Sequence, residues 1–225
     1  ELNDAGIRDQ NIEVLIGLGT HRPMSEEEIV ERFGNILVER VPIVNHDYTS
    51  EKDLVDMGRT ELGTPISVNK KVYDSDIVVG VGNIVPHDYA GWGGGGKIIQ
   101  PGVCGEETTG MTHVNAALAI RKWGFRTGRL DNKMKEEIDK IALKAGLDFI
   151  VNTILTQKDE IGSVVCGHPV EAHRTGVKIA EKSYCCQAPG PADVVIVASY
   201  PADIDYWQAG KPLAYALMGV KDGGT

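Results

Sequence analysis

Asp76-Ile77-Val78-Val79-Gly80-Val81, then Pro86-His87, then Gly91-Trp92-Gly93-Gly94-Gly95-Gly96-Lys97 is the stretch on which the fold turns. The first six residues are almost wholly apolar, as parallel strands covered on both faces are. In an open α/β sheet the loop after such a strand lies at the carboxyl edge, where ligands bind. Four consecutive glycines each lose backbone entropy on folding and bring no side chain to pack. They are therefore read as a place where backbone comes close to a ligand, not as packing.

Upstream, Ile12 to Leu18 reads as a short buried strand closing in Gly19. The loop Gly19-Thr20-His21-Arg22-Pro23 follows, then Ser25 as a helix N-cap before Glu26-Glu27-Glu28. Val41 to Asn45 reads as a second strand, ending in His46-Asp47. Downstream, the pattern predicts helices over Thr112–Trp123, Asp131–Ala145 and Pro169–Glu181, and strands over Phe149–Leu155 and Gly162–Val165. Gln187-Ala188-Pro189-Gly190-Pro191 reads as a linker. Beyond it, Ala192–Ala198 reads as a strand and Tyr206–Leu217 as a helix. The expectation is an α/β fold, a mostly parallel sheet covered by helices. Residues 1–186 would form a cofactor-binding catalytic domain, and residues 191–225 would begin a second α/β domain on the substrate side. Glu1 is not a start methionine and the chain stops soon after a helix. It is therefore read as an interior fragment of a two-domain enzyme, lacking the N-terminal part of the first domain.

With 225 residues, 42% hydrophobic and 24% charged, the chain has ordinary globular composition. A formal charge of −9 argues against a nucleic-acid partner, which would need clustered Lys and Arg. No basic run exceeds two residues and no apolar stretch nears a membrane span, so no membrane partner is expected. Cys104, Cys166, Cys185 and Cys186 form no CxxC pair, which suits a reduced, cytoplasmic setting.

The chemistry centres on Lys97. Gly91 to Lys97 satisfies the G-x-x-x-x-G-K phosphate-loop pattern, but Ile98 stands where that motif needs a Ser or Thr for magnesium. Pro101 and Gly102 also forbid the helix that should follow. What survives is a backbone cradle for an anion with a lysine beside it. His21 and His87 each sit where a strand hands over to a glycine-containing loop, the layout of an acid/base pair. His113 lies near a predicted helix start, and neutral imidazole is a common metal ligand. His46, His168 and His173 receive structural readings, His46 fixing the turn after its strand and His173 lying on a helix.

The segments Gly19-Thr20-His21-Arg22-Pro23-Met24, Pro86-His87 through Gly91 to Lys97, and Thr112-His113 resemble the nickel-dependent lactate racemase family. The intervals are also similar: 66 residues from His21 to His87, 10 from His87 to Lys97 and 16 from Lys97 to His113. Tyr206-Trp207-Gln208-Ala209-Gly210-Lys211 resembles the family's Gln-x-x-Lys substrate contact. The resemblance implies a nickel-pincer nucleotide (nickel pyridinium-3,5-bisthiocarboxylate mononucleotide) held covalently by Lys97, with Gly93, Gly94, Gly95 and Gly96 lying against it and His113 ligating the nickel. It implies His21 and His87 as the proton-transfer pair, and Gln208, Lys211 and Trp207 at the substrate. The activity implied is racemisation or epimerisation of a 2-hydroxy acid by reversible hydride transfer. The alternatives are a zinc hydrolase using His21, His87 and His113 as ligands, and a cofactor-binding module without turnover. Neither the particular 2-hydroxy acid nor an oligomeric state follows from these residues.

Overall fold

The computed structural model describes residues 2–200, 203 and 206–225. In chain order the strands are β1 (Val14–Ile16), β2 (Ile43–Asn45), β3 (Leu54–Arg59), β4 (Pro65–Asn69), β5 (Val78–Asn83), β6 (Pro86–His87), β7 (Gly91–Trp92), β8 (Leu147–Leu155) and β9 (Ile161–Gly167). The α-helices are α1 (Glu26–Phe33), α2 (Asn35–Arg40), α3 (Lys70–Tyr73), α4 (Glu106–Trp123), α5 (Lys133–Lys144), α6 (Glu171–Tyr184), α7 (Tyr206–Ala209) and α8 (Lys211–Gly219). The α/β class expected from the strand and helix periodicities is the class observed.

Parallel pairing is less prevalent than the apolar strands led one to expect. β1 and β2 are parallel, in register from Val14–Ile43 to Ile16–Asn45. The β3–β4, β6–β7 and β8–β9 pairs are antiparallel. β5, β8 and β9 lie side by side in that order in one sheet. From Ile150 on, β8 buries alternate residues, and β9 alternates exposed with half-buried ones, a pattern that suits an antiparallel pair with one face packed.

The chain divides into two compact units: residues 1–80 with 96–112 and 138–148, and residues 81–95 with 113–137 and 149–225. Residues 187–225 thus share a unit with 149–186, and the units do not part at Gln187–Pro191. In the first unit, Ile66, Val68, Ile99, Val103, Ile138 and Ile141 are buried. Helix α1 begins as its sequence predicts. The Ser25 hydroxyl accepts the Glu28 amide, and the Ser25 amide donates to the Glu28 carboxylate at 2.8 Å, a full capping box. His46 fills its structural role: Nε2 lies 3.0 Å from the Cys104 carbonyl, and Asn69 Nδ2 lies 3.0 Å from its Nδ1.

In the second unit, Ile84, Trp92, Ile154, Val177 and Ala180 form the core. Helix α6 buries Ala172, His173, Gly176, Val177 and Ala180, one face at helical spacing. A Cβ at Gly176 would stand 2.4 Å from Ile84 Cδ1 and 2.7 Å from Val165 Cγ2, so only glycine lets this helix lie so close to the strands.

Three boundaries differ from expectation. Helix α4 starts at Glu106, six residues before Thr112, so His113 lies inside the helix and not near its start. The strand expected over Ala192–Ala198 reduces to one bridge, Ala192 to Val220. The helix expected over Tyr206–Leu217 is broken at Gly210 into α7 and α8, with Pro212 at the start of α8.

Candidate active site

The glycine run is not an idle loop. Gly93 donates to the Val85 carbonyl at 2.7 Å, and Gly95 donates to Asn152 Oδ1 at 2.7 Å. Gly94 and Gly95 have φ of +77° and +57°, the left-handed region that favours glycine. A Cβ at Gly94 would meet Asn152 Oδ1 at 2.8 Å, one at Gly95 would meet the His173 ring at 2.9 Å, and one at Gly96 would meet Ala142 Cβ at 2.9 Å. The expectation that these glycines serve no packing purpose is therefore corrected. Interior atoms occupy the places their side chains would take.

Lys97 is half-buried within a short 3₁₀ turn, Gly95–Ile98. No α-helix follows it, as Pro101 and Gly102 dictate, and a Cβ at Gly102 would sit 2.0 Å from the Ile98 carbonyl oxygen. The first unit brings the His21 loop against this same segment. Gly19 donates to the Gly102 carbonyl at 2.9 Å, and Gly17 lies against Ile98. His21 itself is exposed, two residues beyond Gly19. Its neighbour Arg22 forms an ion pair with Glu28, tying the loop to the first turn of α1. That pair holds the Glu28 carboxyl down to about 2, the Arg22 hydrogen bond leading and the Ser25 amide adding to it.

The second unit holds the other candidates. His87 Nδ1 takes the Ala90 backbone N–H at 3.2 Å and lies 3.0 Å from Asp88 Oδ1. Asp88 is 7% exposed, so this contact is an ion-pair approach to a buried carboxylate. Burial by itself raises the Asp88 carboxyl, but the His87 imidazole and, to a smaller extent, the Tyr89 amide and the Lys211 charge bring it below its ordinary value. Burial, followed by the charges of Asp88 and Cys185, raises Tyr215. Lys211 and Tyr215 stand four residues apart on α8, the spacing that puts two side chains on one helix face. Tyr89 packs on the His113 ring with centroids 5.9 Å apart. His113 is half-buried and Gln208 is 8% exposed. The Trp207 side chain lies outside the described residues.

Asp88, Lys135, Asn152 and His173 are site residues that the sequence reading missed. Asp88 was visible as the residue after His87. The other three carried no local signal. Among the described residues no three His, Cys, Asp or Glu side chains group so as to hold a metal ion.

Residues 1–124 match the lactate racemase N-terminal domain. The chain belongs to the lactate racemase family. Within that family it is 31% identical to the lactate racemase of Thermoanaerobacterium thermosaccharolyticum over 97% of its own length. It is 30% identical to that of Lactiplantibacillus plantarum over 96%. It spans about half of each of these racemases, 51% in both cases. The structure of the lactate racemase apoprotein from T. thermosaccharolyticum superposes with a TM-score of 0.88, covering 95% of this chain and 51% of that one. A crystal structure of a Thermotoga maritima protein, 22% identical with a TM-score of 0.74 over 88% of this chain, shares the fold.

Proposed function

We propose that this chain carries the catalytic residues of a 2-hydroxy-acid racemase or epimerase, acting on lactate or a close relative with a nickel-pincer nucleotide tethered to Lys97. The reading is supported chiefly by residues 86–90, where His87 lies 3.0 Å from Asp88 and His113 packs on the Tyr89 ring. The residues fit the group. A half-buried primary amine closes a loop of four glycines, and a half-buried imidazole is a compatible nickel donor. When bound, the nucleotide supplies an electron-poor acceptor through which the hydrogen on the substrate carbon can leave and return.

The chain's own residues supply the rest. His87 needs its proton on Nδ1 to present a free Nε2 lone pair, and Asp88 favours that tautomer and then the imidazolium formed on accepting the hydroxyl proton. In the return step the imidazolium gives the Nε2 proton back and reverts to the Nδ1–H tautomer. His21 would do the same work from the other face of the substrate, which a racemase requires and a one-way enzyme does not. Lys211 and Gln208 would hold the substrate's oxygens, Lys211 by charge and Gln208 by hydrogen bond. The four free cysteines support a reducing, cytoplasmic setting.

The intact mass of protein produced together with the cofactor-making enzymes tests this reading. Lys97→Ala should lose the mass adduct and all activity, whereas His113→Ala should keep the adduct and retain nickel poorly. His21 and His87 variants should keep the adduct and slow interconversion by roughly 10²–10⁴-fold. Turnover without nickel, or an adduct persisting elsewhere in Lys97→Ala, would overturn it.

A further inference from the structure

Three side chains from three elements converge on consecutive peptide groups of the glycine loop. His173 of α6 places Nε2 2.8 Å from the Gly93 carbonyl oxygen. Lys135 of α5 donates from Nζ to the Gly94 carbonyl at 3.1 Å. Asn152 of β8 accepts the Gly95 amide at 2.7 Å. Lys135 and His173 are fully buried and Asn152 is 2% exposed. Buried cations and polar rings are costly to remove from water, so a fold keeps them where they make bonds that packing alone cannot.

The chemistry is specific in direction. A carbonyl oxygen can only accept, so His173 must carry its proton on Nε2, which leaves Nδ1 to take the Arg174 guanidinium at 3.1 Å. Two donors on two successive carbonyls turn both oxygens inward. A trans peptide then points the Gly94 N–H away from His173. Neither Gly93 nor Gly94 can flip its peptide without stranding a buried donor, and an unpaired buried donor is costly. The Asn152 bond holds the next link, and Lys97 lies two residues beyond Gly95.

We propose that Lys135, His173 and Asn152 are positioning residues that lock the glycine-loop backbone and thereby present the Lys97 amine for covalent loading. The proposal rests on Lys97 being the tether. All three bonds join protein groups to protein backbone, so this chain's own residues fix the loop.

Hydrogen exchange of the peptide spanning residues 93–98 in cofactor-free protein, paired with the fraction of Lys97 carrying adduct, tests it. Lys135→Met and His173→Leu, each first checked for folding by circular dichroism and melting, should speed exchange of this segment by about tenfold or more. Their adduct fraction at a fixed loading time should fall several-fold. His173→Gln, which keeps an N–H donor, should recover most of both losses. A folded Lys135→Met protein with wild-type exchange and wild-type loading would overturn the proposal. So would a His173→Gln protein as impaired as His173→Leu, since that is the mark of lost packing. If either charged-core variant does not fold, Asn152→Ala against Asn152→Ser is read in the same way. Wild-type protein that carries no adduct would sink the tether reading, while exchange in the cofactor-free protein still judges the lock.

Discussion

At the scale of single residues, glycine has opposite meanings at two positions. Gly95 has φ +57° and its absent Cβ would fall 2.9 Å from His173. Gly110 lies within α4 with nothing within 4 Å of where a Cβ would stand. Gly95→Ala should destabilise by about 1–3 kcal/mol, through backbone strain and overpacking together. Gly110→Ala should stabilise by about 0.5–1 kcal/mol, because alanine has less freedom to lose in a helix. Denaturant midpoints of the two variants should move in opposite directions. A shared direction would show that the loop yields around the added methyl. The composition of the loop was legible in the sequence, but its cause was not. The atoms that exclude side chains there come from far along the chain, Asn152 against Gly94 and His173 against Gly95.

At the scale of elements, α6 is joined to the loop through His173, and that joint is sensitive to acid. Burial first, then the charge of Lys135 and of Arg174, pushes the imidazole from its ordinary 6.5 down to about 3, the Gly93 carbonyl opposing. Between those two values the unfolded chain binds a proton that the folded chain refuses. The contribution of this group is therefore complete above about pH 6.5 and is lost as pH falls toward 3. The loss runs at up to about 1.4 kcal/mol per pH unit. Urea midpoints of the wild type should fall between pH 7 and pH 4.5 more steeply than those of His173→Gln, which has no such proton to take up. Parallel slopes would mean that other groups govern acid lability. Helix α4 makes the complementary point about legibility. Thr108, Thr109 and Thr112 are poor helix formers, which placed the predicted start too late. In the fold all three are buried, and the Thr112 hydroxyl bonds back to the Thr108 and Thr109 carbonyls. Tertiary burial outweighs the few tenths of a kcal/mol each threonine costs.

At the scale of the whole molecule, the chain exposes apolar side chains while carrying a charge of −9 at neutral pH. Ile196, Tyr200 and Tyr206 are 91%, 83% and 95% exposed, and Ile161, Val164 and Leu217 are exposed as well. Repulsion between like-charged copies is what keeps such surfaces apart. Light scattering should therefore rise sharply as pH approaches the isoelectric point near 5.2, and rise further with salt at neutral pH. Scattering that ignores both pH and salt would show that charge is not the barrier. Among the described residues no helix is long and apolar enough to cross a membrane. The sequence by itself determined the α/β class, the Ser25 cap, helices α5 and α6, and the order of His21, His87, Lys97 and His113. Periodicity, capping and motif spacing are written within a few residues or along the chain. Only the tertiary structure decided the antiparallel pairing of β8 with β9, the lone bridge where a strand was expected after residue 191, and the burial of Lys135 and His173 under the loop. Strand partners and buried donors are chosen by residues far along the chain, and a lysine or histidine on a helix reads as a solvent face until the carbonyl it must satisfy is folded against it.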